Sequence, residues 1–529
     1  MRFLLCLVAL LLSLQLSAQK KHEDRFNRID VQHYRFELEL SDAQDLIKGT
    51  ATITVYFKND SPNLDLDLVT KGEEYGMTVT AVSEGNTRYE FSHESNLLQI
   101  PVKAKADETR TFTIEYQGIP ETGLVISKNK YKERTFFGDN WPDRGRHWLP
   151  LVDHPSDKAT VEWVVTAPSV YKVIGNGLLQ GENVTANGYT ITHWKTEVPM
   201  PTKVMVIGVS RFATEVSGTV EGKEISSWVY PQDEKNGFYD YALATPITQW
   251  FVDRVGSFPF SKLANVQSKT QFGGMENAGN IFYSERSVTG KRTAEGLIAH
   301  EIAHQWFGNS ASEANWHHIW LSEGFATYFT VLYMEDTYDK ERAAEMLAQQ
   351  RKQIISYNNL NSVPVVNPAI ENYMELLNAN SYQKGGFVLH MLRQQVGDEA
   401  FWKSIRAYYD RYKLSNALTE DLKNVFEEVS GQELDPFFNQ WIYQAGHPQL
   451  NVSTMNAKKA ALNLTQIQPG QFTFPLEVRF NYTDGSTETQ RFDITQREQV
   501  LIGDAGKTLE SFQLDPDTKL LFEANVADN

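Results

Sequence analysis

Two histidines and a glutamate stand out in the stretch AEGLIAHEIAHQWFGN, residues 294–309. His300 and His304 are four residues apart, so on an α-helix they share one face and can direct a ring nitrogen at the same metal ion. Glu301 is offset on the helix and is better placed to reach a water molecule near the ion than the ion itself. The alternative is an ordinary buried helix whose histidines bind backbone partners. The spacing favours a metal-binding catalytic helix.

The helix that carries these residues is predicted to span about four turns. Thr293 is a plausible N-cap, and Gly308-Asn309 a plausible end. A catalytic zinc ion needs three protein ligands and an open fourth position. Glu323, in WLSEGFATYF, is an acidic residue near the start of an otherwise apolar helical stretch. An acid there can simply complement the helix dipole, but beside the histidine pair it is the candidate for the third ligand.

The composition of the chain is that of a globular protein with several domains. It has 529 residues, of which 41% are hydrophobic and 22% charged, and a formal net charge of −17. This length gives room for about three to four domains. The acidic balance argues against nucleic acid or an anionic membrane as a partner. The one cysteine, Cys6, lies in the N-terminal apolar run, so disulfides and cysteine chemistry are excluded from the mature chain.

The N-terminus, MRFLLCLVALLLSLQLSA, has a short basic start, an apolar run and small residues at its end. This pattern predicts a signal peptide over residues 1–18 that is cleaved after Ala18. The alternative, an N-terminal membrane anchor, needs about 20 apolar residues. We therefore expect an exported protein, periplasmic or secreted, whose mature chain has no stable membrane insertion.

The period of the hydrophobic pattern changes twice along the chain. From residue 31 to about residue 213 apolar and polar residues alternate, as in YRFELEL, GTATITVYF and KVMVIGVSRF, and residues 22–213 are predicted to form an N-terminal β domain. Residues 214–444 contain helical patterns such as GFYDYALATPITQWFVDRVG. Strand patterns return over residues 445–529, with a predicted hairpin turn at TDGS. The expected fold class is multidomain α+β.

Four motifs make the sequence familiar. HEIAHQWFGN and WLSEGFATYF follow GGMENAG at residues 273–279, and NANSYQKGG at 378–386 comes last. In this order they resemble the M1 (gluzincin) zinc aminopeptidases. The resemblance implies an N-terminal saddle-shaped β domain, a thermolysin-like and mainly helical catalytic domain, and a small C-terminal β-sandwich. The chain is similar to the short, three-domain bacterial members that lack a helical C-terminal domain.

The expected chemistry is hydrolysis of a peptide bond with one Zn²⁺ ion per chain. The metal would polarise the scissile carbonyl and lower the pKa of a water molecule. Glu301 is placed to act as general base towards that zinc-activated water and to return the proton to the leaving amine. The oxyanion needs a second donor besides the metal, and the resemblance assigns this role to Tyr382. Without the motif, Tyr382 would be one of 23 tyrosines with no special role.

An aminopeptidase must also recognise a free α-ammonium group. A carboxylate about one residue's length from the metal would do so and would exclude internal peptide bonds. Glu276 is the candidate, and the resemblance implies the same role for it. Gly273 and Gly274 allow a strand to approach the substrate and to pair with it as an edge strand. Met275 and Asn277 belong to the same substrate-binding segment, whose alternative interpretation is a tight turn.

One position departs from the pattern of the family. Its members add a Gln or Glu from the β domain to the amine site. In FFGDNWPDRGRHWLP an ungapped match places Trp141 at that position. Asp139 or Asn140 could serve instead, so the second amine contact stays open.

The leading hypothesis is a zinc aminopeptidase acting on peptides with a free N-terminus. An endopeptidase on the same zinc scaffold, a catalytically inactive binding protein and an epoxide hydrolase are the alternatives. Glu276 argues against the first of these, and the full set of catalytic residues argues against the second. No feature of the sequence singles out the third.

Overall fold

The computed structural model describes residues 25–527. They form two compact units, one made of residues 25–253, 257–315 and 412–416, the other of residues 254–256, 316–411 and 417–527. The predicted signal peptide lies outside the described residues, and the predicted domain boundaries near residues 213 and 444 stay predictions. Within the part of the chain that the structure covers, no helix has the length and apolar character needed to span a bilayer.

The first unit is rich in strands, as predicted for the N-terminal half of the chain. They are β1 (Ile29–Glu39), β2 (Ile47–Phe57), β3 (Leu64–Asp67), β4 (Gly76–Glu84), β5 (Thr87–Arg88), β6 (Ser92–Glu94), β7 (Leu97–Ile100), β8 (Glu108–Ile119), β9 (Leu124–Lys128), β10 (Arg134–Gly138), β11 (Lys158–Pro168), β12 (Lys172–Gly175), β13 (Leu178–Val184), β14 (Tyr189–Lys195), β15 (Met200–Pro201), β16 (Ile207–Ser210), β17 (Ala213–Val220), β18 (Lys223–Val229), β19 (Leu263–Ser268), β20 (Gly274–Met275), β21 (Asn280–Ser284) and β22 (Ala311–Glu313).

A nine-stranded sheet dominates the N-terminal part of this unit. Its order is β13-β14-β11-β1-β2-β8-β4-β5, with β15 added to β11. In β2 every second residue from Ile47 to Phe57 is buried, and the residues between them are more exposed. Because side chains alternate across a strand, one face of the sheet lies on a core. Two smaller sheets, β12-β16-β10-β9 and β3-β7-β6, complete this region.

The prediction of a continuous strand over KVMVIGVSRF is wrong in its first half. Only β16 is a strand, and Thr202–Val204 form a 3₁₀ turn. The buried amides of Asn140 and Asn176 donate to main-chain carbonyls of this turn, and Asn176 also accepts from a main-chain N–H there. Since these side chains satisfy the backbone groups, the segment needs no strand partner.

A five-stranded sheet, β17-β18-β19-β21-β20, follows in the first unit together with three helices. The helices are α1 (Glu234–Tyr241), α2 (Ala244–Arg254) and α3 (Glu295–Ala303). Strands β18, β19 and β21 run parallel, and the two-residue strand β20 lies antiparallel to β21 at the end of the order. The helical prediction for GFYDYALATPITQWFVDRVG is confirmed as α1 and α2.

Helix α3 is shorter than the four turns that the sequence predicted. It begins at Glu295, with Ala294 rather than Thr293 as N-cap, and His304 is already its C-cap. Beyond that point the N–H groups of Gln305 and Trp306 donate to carbonyls three residues back. These tighter bonds end the α-helix before the predicted Gly308-Asn309.

The start of α3 is fixed by Asp240 on α1 instead of by a capping side chain. The fully buried Asp240 carboxylate accepts from the main-chain N–H groups of Thr289, Gly290 and Arg292, at 2.6 to 2.7 Å. Charge-assisted bonds of this kind are about twice as strong as neutral ones. The turn that leads into α3 is therefore tied to the preceding helix.

The second unit begins with helices. They are α4 (Trp320–Thr337), α5 (Lys340–Leu360), α6 (Gly385–Val396), α7 (Asp398–Tyr412), α8 (Thr419–Ser430) and α9 (Asp435–Phe438). Every residue of α4 from Trp320 to Met334 is buried, which is typical of a helix at the centre of a core. A β-carbon at Gly324 on α4 would lie 2.8 Å from the main-chain carbon of Gly385 on α6. The two helices can approach this closely because both positions are glycine.

The C-terminal part of the second unit returns to strands, as predicted. Its strands are β24 (Gln449–Asn456), β25 (Ala461–Gln466), β26 (Phe474–Tyr482), β27 (Thr487–Ile494), β28 (Glu498–Ile502), β29 (Leu509–Leu514) and β30 (Glu523–Ala527), whereas most of the short β23 (Ser415–Ala417) belongs to the first unit. They include two sheets, of order β28-β25-β24-β30 and β27-β26-β29. Strands β26 and β27 form the hairpin predicted at TDGS.

The close approach of α4 and α6 makes a stability prediction. Gly324→Ala should lower the free energy of unfolding by about 1–3 kcal/mol, because the added methyl group overlaps the backbone of Gly385. Gly181→Ala is the matched control, since no atom lies within 4 Å of a β-carbon there. Urea unfolding of both variants checks the prediction, and equal stability of the two variants would contradict it.

Candidate metal centre and active site

His300 on α3 and His304 at its C-cap face each other as a ligand pair. Their Nε2 atoms are 3.2 Å apart, and two nitrogens bound to a tetrahedral zinc ion should be about 3.3 Å apart. The Nδ1 atom of His304 lies 3.2 Å from the carbonyl oxygen of Phe307. A proton on Nδ1 would donate to this carbonyl and leave the Nε2 lone pair free for a metal. The geometry therefore fits the ligand role that the spacing predicted.

Two carboxylates lie beside His304. One ligand atom each from Glu276, Glu301 and His304 lie within 4.8 Å of one another, and all three side chains are buried. The Glu301 carboxylate is held against β20, where a β-carbon on Gly274 would lie 2.3 Å from its Oε1 atom. Any other residue at position 274 would displace Glu301. At Gly273, by contrast, the nearest atom is 3.7 Å from a β-carbon.

The segment from Gly273 to Asn277 is the last strand of the five-stranded sheet and the turn that follows it. Gly274 pairs with Tyr283, and Met275, 3% exposed, pairs with Phe282. In the described part of the chain, the buried Oε1 of Glu276 and both polar side-chain atoms of the buried Asn277 have no hydrogen-bond partner. Buried polar atoms are normally paired, so these atoms indicate the place of a ligand.

The structure separates the three candidates for the second amine contact. Asn140 uses its amide within the fold, donating to the turn after Pro201 and accepting from the indole N–H of Trp148 at 2.8 Å. Trp141 is buried and lies edge-on to Phe272. Asp139 is fully buried and accepts from Arg144 at 2.6 Å through Oδ1, whereas its Oδ2 has no partner among the described residues.

Asp139 also shares the electrostatic environment of Glu276. Burial raises the pKa of the Asp139 carboxyl; the positive charge of Arg144 opposes this shift, and the negative charge of Glu276 adds to it. The sequence placed Asp139 and Asn140 on an equal footing. Of the two, Asp139 is the one with a carboxylate that the negative charge of Glu276 affects; a hydrogen bond from the main-chain N–H of Gln271 lowers its pKa, as Arg144 does.

A buried lysine that sequence reasoning missed holds the end of the GGMENAG segment. The ammonium group of Lys262 donates to the carbonyl of Gly279 at 3.2 Å and to the side chain of Asn280, and it lies 5.0 Å from the ring centre of Trp194. Burial lowers the pKa of Lys262 to about 7. A lone lysine between two strands gives no sequence signal for this role.

A second cluster of charged side chains, Lys158, Lys203 and Glu313, lies at the segment that follows α3. Lys203 and Glu313 form an ion pair at 2.5 Å with almost no exposure to solvent. Lys158 donates to the main-chain carbonyls of Asn309 and Ser310, and burial lowers its pKa well below the ordinary value. Burial raises the pKa of Glu313, and the charge of Lys203 opposes that shift. These contacts fix the main chain of the segment that follows α3.

The remaining predicted residues, Glu323 and Tyr382, belong to the second unit. Glu323 is buried in the first turn of α4. Tyr382 lies in a π-helical turn, Asn380–Lys384, directly before α6, and such turns are frequent at functional sites. The contact between Gly324 and Gly385 places these two segments side by side. Lys384 holds the π-helical turn by donating to the carbonyl of Gly446 at 2.8 Å.

Comparison with known proteins gives matches along most of the chain. The model of the Peptidase M1 N-terminal domain matches residues 30–204, and that of the Peptidase family M1 domain matches residues 247–441. A glutamyl aminopeptidase of Sus scrofa is 27% identical over 379 residues, which are 66% of this chain and 40% of that protein.

Two further relatives show the same range of identity. A glutamyl aminopeptidase of Homo sapiens is 26% identical over 448 residues, 78% of this chain and 46% of that protein. Aminopeptidase M1 of Arabidopsis thaliana is 25% identical over 478 residues, 83% of this chain and 53% of that protein. The chain thus spans about half the length of the curated relatives it matches.

The buried Lys262 makes a pH-dependent prediction. Its pKa is about 7 in the folded protein, against an ordinary value of 10.5. Below the folded value both states are protonated, and the folded state bears the full cost of a buried charge. Between the two values the folded lysine is neutral while the unfolded one keeps its proton, so this cost falls as pH rises. The melting temperature of Lys262→Met relative to the wild type should therefore be higher at about pH 6 than at about pH 9.5.

Differential scanning calorimetry of both proteins at the two pH values measures this difference. Lys291→Met, at an exposed lysine, is the control and should keep a constant difference from the wild type. The same constant difference for Lys262→Met would contradict the prediction.

Proposed function

The chain belongs to the M1 peptidase family, and from this premise we propose that it is a zinc-dependent aminopeptidase that hydrolyses the N-terminal peptide bond of peptides. Glu276 carries the proposal. Its buried carboxylate lies beside Glu301 and His304 and has an oxygen without a partner among the described residues. A substrate ammonium group would supply the missing partner.

The metal would be held by His300, His304 and Glu323, with one Zn²⁺ ion per chain. The resemblance to the M1 family adds Glu323, in the first turn of α4, to the histidine pair. Two imidazoles and one carboxylate are a common ligand set for catalytic zinc, which keeps its fourth position open. The separation of the two Nε2 atoms supports this assignment.

Each step of the reaction is proposed for a named side chain. Zinc, when bound, polarises the scissile carbonyl and makes water more acidic. Glu301 takes a proton from the attacking water and gives it to the leaving amine. The hydroxyl group of Tyr382 donates to the oxyanion that forms on the carbonyl. Gly274 gives Glu301 the space that this role requires.

Recognition of the free N-terminus is proposed for Glu276, with Asp139 as the second carboxylate. The unpartnered Oδ2 atom of Asp139 and the effect of Glu276 on its pKa support this pairing. An internal peptide bond has no ammonium group to offset these buried negative charges, so it is excluded. The main chain at Gly273 and Gly274, with Met275 and Asn277 beside it, would pair with the substrate as an edge strand.

The fold names that the resemblance implies belong to the same proposal. We assign the saddle-shaped β domain to residues 22–213, the thermolysin-like catalytic domain to residues 214–444 and the β-sandwich to residues 445–529. Export after cleavage of residues 1–18 is likewise proposed. The net charge of −17 favours peptides over nucleic acid as partners.

The metal requirement is tested by chelation. Removal of the metal should reduce hydrolysis of aminoacyl-coumarin substrates to background, because the carbonyl loses its Lewis acid. Addition of one equivalent of zinc should restore the rate. Glu301→Gln is the matched variant: it should still bind one zinc ion and should lose about 10²- to 10⁴-fold in kcat. A peptidase that is insensitive to chelators would contradict the zinc mechanism.

The role of Glu276 is tested by blocking the substrate amine. The wild type should hydrolyse free peptides and leave N-acetylated ones intact, since the blocked amine carries no charge. Glu276→Gln should lower kcat/KM for free peptides about 10- to 100-fold by removing a charged hydrogen bond. Glu234→Gln, at an exposed carboxylate on α1, should leave it unchanged. Equal rates on free and acetylated peptides would indicate an endopeptidase.

A further inference from the structure

The segment that follows α3 sends two amide side chains to the GGMENAG segment. We infer that Gln305 and Asn309 are positioning residues that set the distance between the metal ligands and Glu276. The inference rests on the proposed function for the roles of the residues they hold. Gln305 immediately follows His304, so its backbone is fixed by a residue that faces the metal.

Both amides bind the same main-chain atom. The carbonyl oxygen of Glu276 accepts from the amide nitrogen of Gln305 at 2.9 Å and from that of Asn309 at 2.6 Å. Gln305 also accepts from the N–H group of Gly279 at 2.9 Å. Gln305 therefore binds both ends of the turn from Glu276 to Gly279. Gln305, Asn309 and Asn277 are fully buried, so water cannot replace these bonds.

Gln305 also connects this turn to the catalytic base. Its amide nitrogen lies 3.3 Å from the carbonyl oxygen of Glu301. One side chain thus joins the backbone of the general base to the backbone of the amine-binding residue. The strand before Glu276 has only two residues, which give little support of their own. The position of the Glu276 carboxylate accordingly depends on the two amides.

The distance between the Glu276 carboxylate and the metal matters because an aminopeptidase removes a single residue from the N-terminus. The ammonium nitrogen and the scissile carbonyl are separated by a single α-carbon, so the carboxylate and the metal must keep a fixed spacing. A displacement of about 1 Å can cost about a hundredfold in rate. Loss of the amides should therefore weaken selection of free N-termini more than it weakens metal binding.

The competing explanation is that the amides only stabilise the fold. Substitutions would then lower the melting temperature and leave substrate selection unchanged. Ser312 supplies the matched control, because its hydroxyl donates to the carbonyls of Gly308 and Asn309 in the same turn. Ser312→Ala disturbs that turn without removing a bond to Glu276.

The experiment compares Gln305→Met, Asn309→Leu, the double variant and Ser312→Ala in the full chain with zinc bound. The readout is the ratio of kcat/KM on a free peptide to that on its N-acetylated form. Each single variant should lower this ratio about tenfold and the double variant about a hundredfold. Zinc content should stay at one ion per chain. Ser312→Ala should keep the wild-type ratio at a lower melting temperature.

Hydrogen exchange of residues 273–280 gives a second readout that needs no catalysis. The amide of Gly279 donates to Gln305, so exchange of this segment should accelerate in Gln305→Met and not in Ser312→Ala. An unchanged ratio in a folded, zinc-loaded double variant would overturn the inference, as would unchanged exchange. A wild type that shows no preference for free amines would overturn the proposed function instead, and the exchange result would still decide the role of Gln305.

Discussion

The two buried carboxylates next to α3, Glu276 and Glu301, constrain how the residues around them can be arranged. Ligand atoms of Glu276, Glu301 and His304 lie within 4.8 Å of one another, out of contact with bulk water. Two ionised carboxylates at such a distance would repel each other by about 3–4 kcal/mol at an effective dielectric constant of about 20. In the proposed function two cations would relieve this repulsion, a metal ion on the side of the histidines and an ammonium group on the side of Glu276.

Two lysine side chains lie further from the buried carboxylates, and they donate to main-chain carbonyls. Lys158 donates to main-chain carbonyls that follow α3, and Lys262 donates to the carbonyl of Gly279, which ends the GGMENAG segment. Both lysines have pKa values lowered by burial, so the fold bears a cost to keep them there. Because they bind main-chain carbonyls, they fix the loops while the carboxylates of the site remain available. The buried Lys203–Glu313 ion pair belongs to the same group of contacts.

Periodicity and spacing in the sequence predicted the parts of the structure that depend on local pattern. Three features follow from the spacing of residue types along the chain. They are the alternation of buried residues in β2, the change to helices after residue 230 and the orientation of His300 and His304 towards each other. The error near residue 204 arose where distant side chains take over backbone bonds. Asn140 and Asn176 replace a strand ladder near residue 204. The bonds of Lys158 to its partners span about 150 residues of chain, and a single sequence carries no signal for such pairs.

The proposed amine site departs from the family pattern at Trp141, and the residues around it offer a physical explanation. Trp141 stands where an acid or amide is expected, and its indole cannot accept a hydrogen bond from an ammonium group. Two residues earlier, Asp139 keeps one carboxylate oxygen on Arg144 and the other without a partner in the described chain. Burial favours its neutral form and Arg144 favours its charged form, so an arriving ammonium group would shift the balance towards the charged form. In the proposed amine site, substrate binding and ionisation of Asp139 would then reinforce each other, so a carboxylate two positions away would replace the missing side chain.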